Sequence, residues 1–157
     1  MTLPYVLRMN DFDFFAGHWN VVNRRLVKPL SGSDEWDEFP GRTVATRHFQ
    51  GAASFDEIEF PTKGFHGLTL RVYDPASRQW SIYWASSTRG VLDTRPMVGG
   101  FDGDRGVFYG EESHEGRPVR CRFVWTAGAD TARWEQAFSD DDGRTWETNW
   151  TMDFSRA

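Results

Sequence analysis

No stretch of this chain sustains a helical period. Apolar and polar residues instead alternate in short runs that stop at glycine, proline and aspartate clusters. That alternation belongs to half-buried strands, and connections this short make sequential strands antiparallel neighbours. About ten strands are predicted, over residues 17–27, 42–50, 55–60, 65–74, 79–86, 91–101, 106–112, 117–125, 131–139 and 145–154. The run over 91–101 is the weakest, because Pro96 removes a donor and Gly99-Gly100 invites a bulge. Residues 1–13 read as an arm with one helical turn near 11–15, and 28–41 as a long loop holding Pro29, Gly32, Pro40 and Gly41. A meander of this length must hide its edges, and closure into a barrel does so. The expected fold is all-β, an antiparallel up-and-down barrel forming a single domain over 1–157; a two-sheet sandwich is the alternative.

Parity sorts each strand into two faces. One face collects His66, Leu68, Leu70 and Val72; Trp80, Ile82 and Trp84; Val107, Tyr109 and Glu111; Val119, Cys121, Phe123 and Trp125; Trp134, Gln136 and Phe138; and Trp146, Thr148, Trp150, Met152 and Phe154. The other carries Arg71, Arg120, Arg122, Arg133, Glu135, Glu147, Asn149 and Asp153. Six tryptophans on the first face, Trp80, Trp84, Trp125, Trp134, Trp146 and Trp150, mark it as the interior, which they either line or fill outright. With ten alternating strands, the chain terminus returns to the Trp19 end, and the 28–41 loop lies at the other end.

The net charge of −5 comes from interspersed acidic and basic residues with no basic stripe, which argues against nucleic acid as a partner. No apolar run approaches the roughly 20 residues of a membrane span, and residues 1–9 lack the pattern of a secretory signal. A lone Cys121 forms no internal disulfide, and a cytoplasmic protein is expected. The four histidines are scattered and there is no cysteine pair or glycine-rich phosphate loop, so neither a metal nor another cofactor is expected.

Gly17-His18-Trp19 opening the first strand, together with Arg156 at the end of the last, resembles the calycin superfamily of lipocalins and fatty-acid-binding proteins. Tyr73-Asp74-Pro75, Trp134-Glu135-Gln136 and Asp153-Phe154 extend the likeness to an uncharacterised bacterial lipocalin-like domain family. The resemblance implies a barrel whose closed end is plugged by Trp19 with Arg156 packed across it, and a cavity above. It implies no particular ligand. A second motif, Ser139-Asp140-Asp141-Asp142-Gly143-Arg144-Thr145-Trp146, matches the Asp-box of sialidase propellers. A single copy reads as a hairpin turn rather than as glycan chemistry.

Parity and strand direction bring Arg25, His66, Trp84, Glu111, Phe138 and Trp146 to the open end, with Trp36 and Phe39 in the loop that would cover them. An aromatic mouth with one cation, one imidazole and one carboxylate suits a small hydrophobic or amphipathic molecule. Arg25 and Glu111 would equally serve as a rim ion pair, and His66 as a structural histidine. The same three residues would serve an isomerase-, cyclase- or lyase-like enzyme, with His66 as base, Glu111 as acid or orienter and Arg25 as an electrostatic clamp. Haem binding, as in nitrobindin-like barrels, needs a histidine on a late strand, and none of the predicted late strands holds one. Tyr73, Tyr83 and Phe108 on the outward faces suggest a homodimer patch.

Overall fold

A computed structural model describes residues 10–157 of the chain. Ten strands close into one antiparallel barrel: β1 (Gly17–Leu26), β2 (Trp36–His48), β3 (Ala53–Phe60), β4 (Phe65–Asp74), β5 (Gln79–Ser86), β6 (Met97–Asp102), β7 (Arg105–His114), β8 (Arg117–Thr126), β9 (Thr131–Ser139) and β10 (Glu147–Arg156). Each strand pairs with its sequence neighbours and β10 pairs back onto β1, so no strand edge is left open. Among the described residues, helix is confined to two short 3-10 turns, Asp13–Phe15 and Phe49–Gly51. The all-β barrel predicted from the alternation is the fold observed. The part of the predicted arm over residues 1–9 lies outside the described residues.

The closed end is an aromatic plug. Phe12 and Phe15, from the segment entering β1, are buried against Trp80, Trp125 and Phe154. Trp19 stacks on Phe15 at 5.7 Å and donates its indole N–H to the Phe15 carbonyl at 2.8 Å. Arg156 lies over the Trp19 ring at 3.8 Å and donates to the carbonyls of Phe14, Ala16 and Ala129. Gly17 explains the motif's first position: its φ is +124°, and a Cβ there would sit 2.6 Å from Arg156 Nη1.

The predicted 28–41 loop is shorter than expected. β2 begins at Trp36 and runs through Pro40 and Gly41. Pairing of β3 onto β2 starts only at Arg42, so Pro40 has a strand on one side and its missing donor costs nothing there. The weak run over 91–101 contracts to β6, Met97–Asp102.

Two strands face the opposite way from the parity reading. On β4, Gly67, Arg71 and Tyr73 are buried and His66 and Leu68 are exposed. On β7, Gly106 and Phe108 point inward while Tyr109 and Glu111 are exposed. Glycines carry no apolar signal, yet these two sit under packed side chains. A Cβ at Gly106 would meet the Phe101 ring at 2.8 Å, and one at Gly110 would meet Met97 Sδ at 2.5 Å. A register shift between Thr148 and Trp150 reverses parity at the start of β10, which buries Asn149 and puts Trp146 on the outside. The expected dimer patch therefore does not assemble: Tyr73 and Phe108 are interior, and only Tyr83 of the three stays on the outer face.

Candidate functional site

Of the six tryptophans expected inside, Trp80, Trp84, Trp125, Trp134 and Trp150 face inward and Trp146 does not, and together with Trp19 they do not fill the barrel. A cavity of about 1100 Å³ opens at the end away from Trp19. Its walls carry Trp84, Trp134, Trp150, Phe123 and Phe138. Its floor is Phe15, Trp125 and Phe154, the upper surface of the plug. The rim is built by residues 27–29 and 111–118 and by residues 89–95. The volume lies at the upper end of the few hundred to about 1,000 Å³ usual for small-molecule sites.

Of the residues expected at the mouth, Arg25, Trp84 and Phe138 are on the cavity wall facing in. Arg25 Cζ sits 4.1 Å from the centroid of the Trp150 ring. The residue as a whole is exposed, but its guanidinium lies on the Trp150 ring at the cavity wall, and the desolvation there lowers its pKa from the ordinary arginine value. Asp37, beside it on β2, is bonded to Lys63, and Arg25 has no carboxylate partner among the described residues. Trp84 is positioned by Gly67 of β4: a Cβ there would be 2.0 Å from the indole, so the ring lies flat on bare backbone.

The other expectations need correction. His66 is on the outer face, where Nδ1 is 2.9 Å from Glu57 Oε2 and both side chains are about half exposed. Glu111 lies on the exposed rim of the chamber, where it pairs with Arg95 at 2.8 Å and not with Arg25. Arg25 and Glu111 are thus not partners. Trp146 packs outside the barrel, between Tyr109 at 5.9 Å and Arg122 at 4.6 Å. Trp36 is outside as well, 5.5 Å from Arg24, and Phe39 is buried in β2 beside Phe60. Neither forms a lid. The triad of His66, Glu111 and Arg25 that an enzyme would have used is not assembled.

The cavity also holds Arg71 and Asn149, which the parity reading put on the outer face, and Asp56, which it did not place. Arg71 and Asp56, both buried, form an ion pair at 2.6 Å, and Arg71 also donates to Ser54. Burial raises the Asp56 pKa, and the neighbouring guanidinium opposes that shift. Arg71 is also enclosed by Phe12, Phe15 and Trp125, all within 5.5 Å of its Cζ. Nearer the mouth, Gln136 donates to Asn149 Oδ1 at 2.9 Å, while Asn149 Nδ2 has no acceptor among the described residues. Across from Arg25 the rim is acidic. Burial, then Glu112, raises the Asp93 pKa. Glu112, the neighbour of the expected Glu111, is the β7 carboxylate with inward parity. β7 also runs on to His114, whose ring lines the rim, packs on Phe138 at 5.8 Å and has Nε2 3.0 Å from the Pro29 carbonyl. Cys121 faces inward, and burial pushes its pKa far up, so it is inert as a nucleophile.

The Asp-box is a turn in every detail. Ser139 Oγ donates to Asp141 Oδ1 at 2.7 Å and accepts the Gly143 N–H at 2.8 Å, while Asp141 Oδ1 accepts the Thr145 N–H at 2.9 Å. Asp142 and Gly143 take positive φ to close it.

Fold and cavity together define a closed antiparallel barrel with an aromatic-walled chamber open at one end. No protein-family model matches the chain, and neither does any curated protein. Among the described residues, no helix is long and apolar enough to cross a membrane, and no cluster of histidine, cysteine and carboxylate side chains is arranged to hold a metal.

Proposed function

We propose that this chain is a calycin-type binding barrel whose chamber takes a small amphipathic anion, with the anionic group at Arg25 and the apolar body against Trp84, Trp134, Trp150 and Phe138. The observation that carries the reading is Arg25 itself. A guanidinium is held over an indole on a cavity wall, partly desolvated, with no carboxylate paired to it among the described residues. An unpaired charge in that setting costs free energy unless a counter-charge arrives. Asn149, adjacent to the Arg25 partner Trp150 in the β1–β10 ladder, offers a second donor without an acceptor. Two such donors suit the two oxygens of a carboxylate. The Gly17–Trp19–Arg156 closure supports the calycin reading, since it seals one end and leaves the other for entry.

Calorimetric titration with decanoate and with decylamine tests the polarity of the site on one chain length. Decanoate binds, and the amine binds at least about tenfold more weakly. Equal affinity, a preference for the amine, or no binding of the acid contradicts the proposal.

A further inference from the structure

The deep end of the chamber is polar, although everything beneath it is aromatic. Thr43 of β2, Asp56 of β3 and Thr69 and Arg71 of β4 all line the cavity. Their register makes them neighbours on one interior face. Asp56 is directly opposite Thr69, while Thr43 and Arg71 are each one diagonal step away, across from Ile58 and Ser54. Two polar atoms in this group are buried without a partner among the described residues: Thr43 Oγ1, on a residue 1% exposed, and Arg71 Nε, on a residue 3% exposed. Buried donors and hydroxyls are almost always satisfied. The remaining capacity here is one N–H donor and one hydroxyl that both gives and accepts.

We infer that this floor is a second subsite, for a neutral hydrogen-bonding group, so that the ligand is polar at both ends. The inference rests on the binding role proposed above and specifies its ligand class. Neutrality follows from the charges already present. The Arg71 guanidinium and the Asp56 carboxylate balance each other at 2.6 Å, and a third charge would be left uncompensated in a site closed by Phe15 and Trp125. A hydroxyl fits, since it exchanges a hydrogen bond with Thr43. The span also fits. Thr43 pairs with Trp19, and Arg25 is six residues further along β1, roughly 20 Å along the strand and roughly 15 Å along the axis of a barrel with ordinary strand tilt. A medium-length ω-hydroxy acid bridges that distance, with its carboxylate at Arg25 and its hydroxyl at the floor.

The test compares decanoate with ω-hydroxydecanoate on the whole chain and on Thr43→Val, which keeps the side-chain shape and removes the hydroxyl. The wild-type protein prefers the hydroxy acid by roughly five- to tenfold, the yield of one or two well-placed hydrogen bonds. In Thr43→Val the preference falls below about twofold. If both acids bind the wild-type protein equally, the subsite is overturned and the mouth reading stands. If the preference persists in Thr43→Val, the hydroxyl is not at this floor and the assignment is overturned. If neither acid binds, the mouth reading falls and the subsite with it.

Discussion

The two ends of the barrel use the same aromatic residues and differ in the state of their polar groups. At the closed end, the Trp19 indole N–H is bonded and Arg156 is spent on an indole face and three carbonyls. At the open end, Arg25 lies on an indole face with no carboxylate partner, and Asn149 and, deeper, Thr43 and Arg71 keep unused hydrogen-bonding capacity. The same cation–indole contact is part of a closed network in one place and part of an unfinished one in the other. Satisfied groups contribute stability. Unfinished groups, in a chamber large enough for a ligand, are where binding energy remains available.

Substitutions at the closed end should therefore change stability and leave affinity alone in the protein that folds. The largest effect is expected for Trp19→Ala, which empties the centre of the plug and should cost about 3–5 kcal/mol in urea denaturation. A loss below about 1 kcal/mol would mean that the plug is not what holds the barrel closed. Arg156→Ala comes next, at about 1–3 kcal/mol for the cation–π contact and its charged hydrogen bonds. Weakened decanoate binding in Arg156→Ala, at unchanged stability, would break the division between the two ends.

A smaller effect is expected at the 139–145 turn, and only in acid. The Thr145 hydroxyl, then the Thr145 N–H and the Ser139 hydroxyl, hold the Asp141 pKa at about 2, below its ordinary 3.8. A carboxyl lowered on folding adds stability that is present above its unfolded value and lost as pH falls through the folded one. Acid unfolding of the wild-type protein between about pH 4 and pH 2 should thus be steeper than that of Asp141→Asn. Superimposable curves would detach the carboxylate from the turn.

The fold was legible in the sequence because turn residues and alternation state strand number and direction. Strands β4, β5 and β9 were placed to the residue, since each is bounded by unambiguous turn chemistry. The site was legible only where parity followed hydrophobicity. On β4 the interior residue is the charged Arg71, neutralised by Asp56 from β3, and nothing local to either strand announces that pair. On β7 the interior positions are Gly106 and Gly110 around Phe108, so Val107 and Tyr109 supplied the stronger and misleading apolar pattern. On β10 a single bulge displaced Trp146. Arg25 and Trp84 were found because β1 and β5 carry no such interruption. His114 and Glu112 were passed over because β7 was ended too soon and read on the wrong face.

The central claim is that Arg25 is held for a ligand and not for the fold, and Arg25→Ala separates the two most directly. Thermal or urea unfolding should change by less than about 1 kcal/mol, the worth of a cation–π contact at an exposed site. Decanoate affinity, read from quenching of the chamber tryptophans, should fall at least about tenfold. A variant that loses stability and binds decanoate as tightly as the wild-type protein would contradict the claim and return Arg25 to the structure.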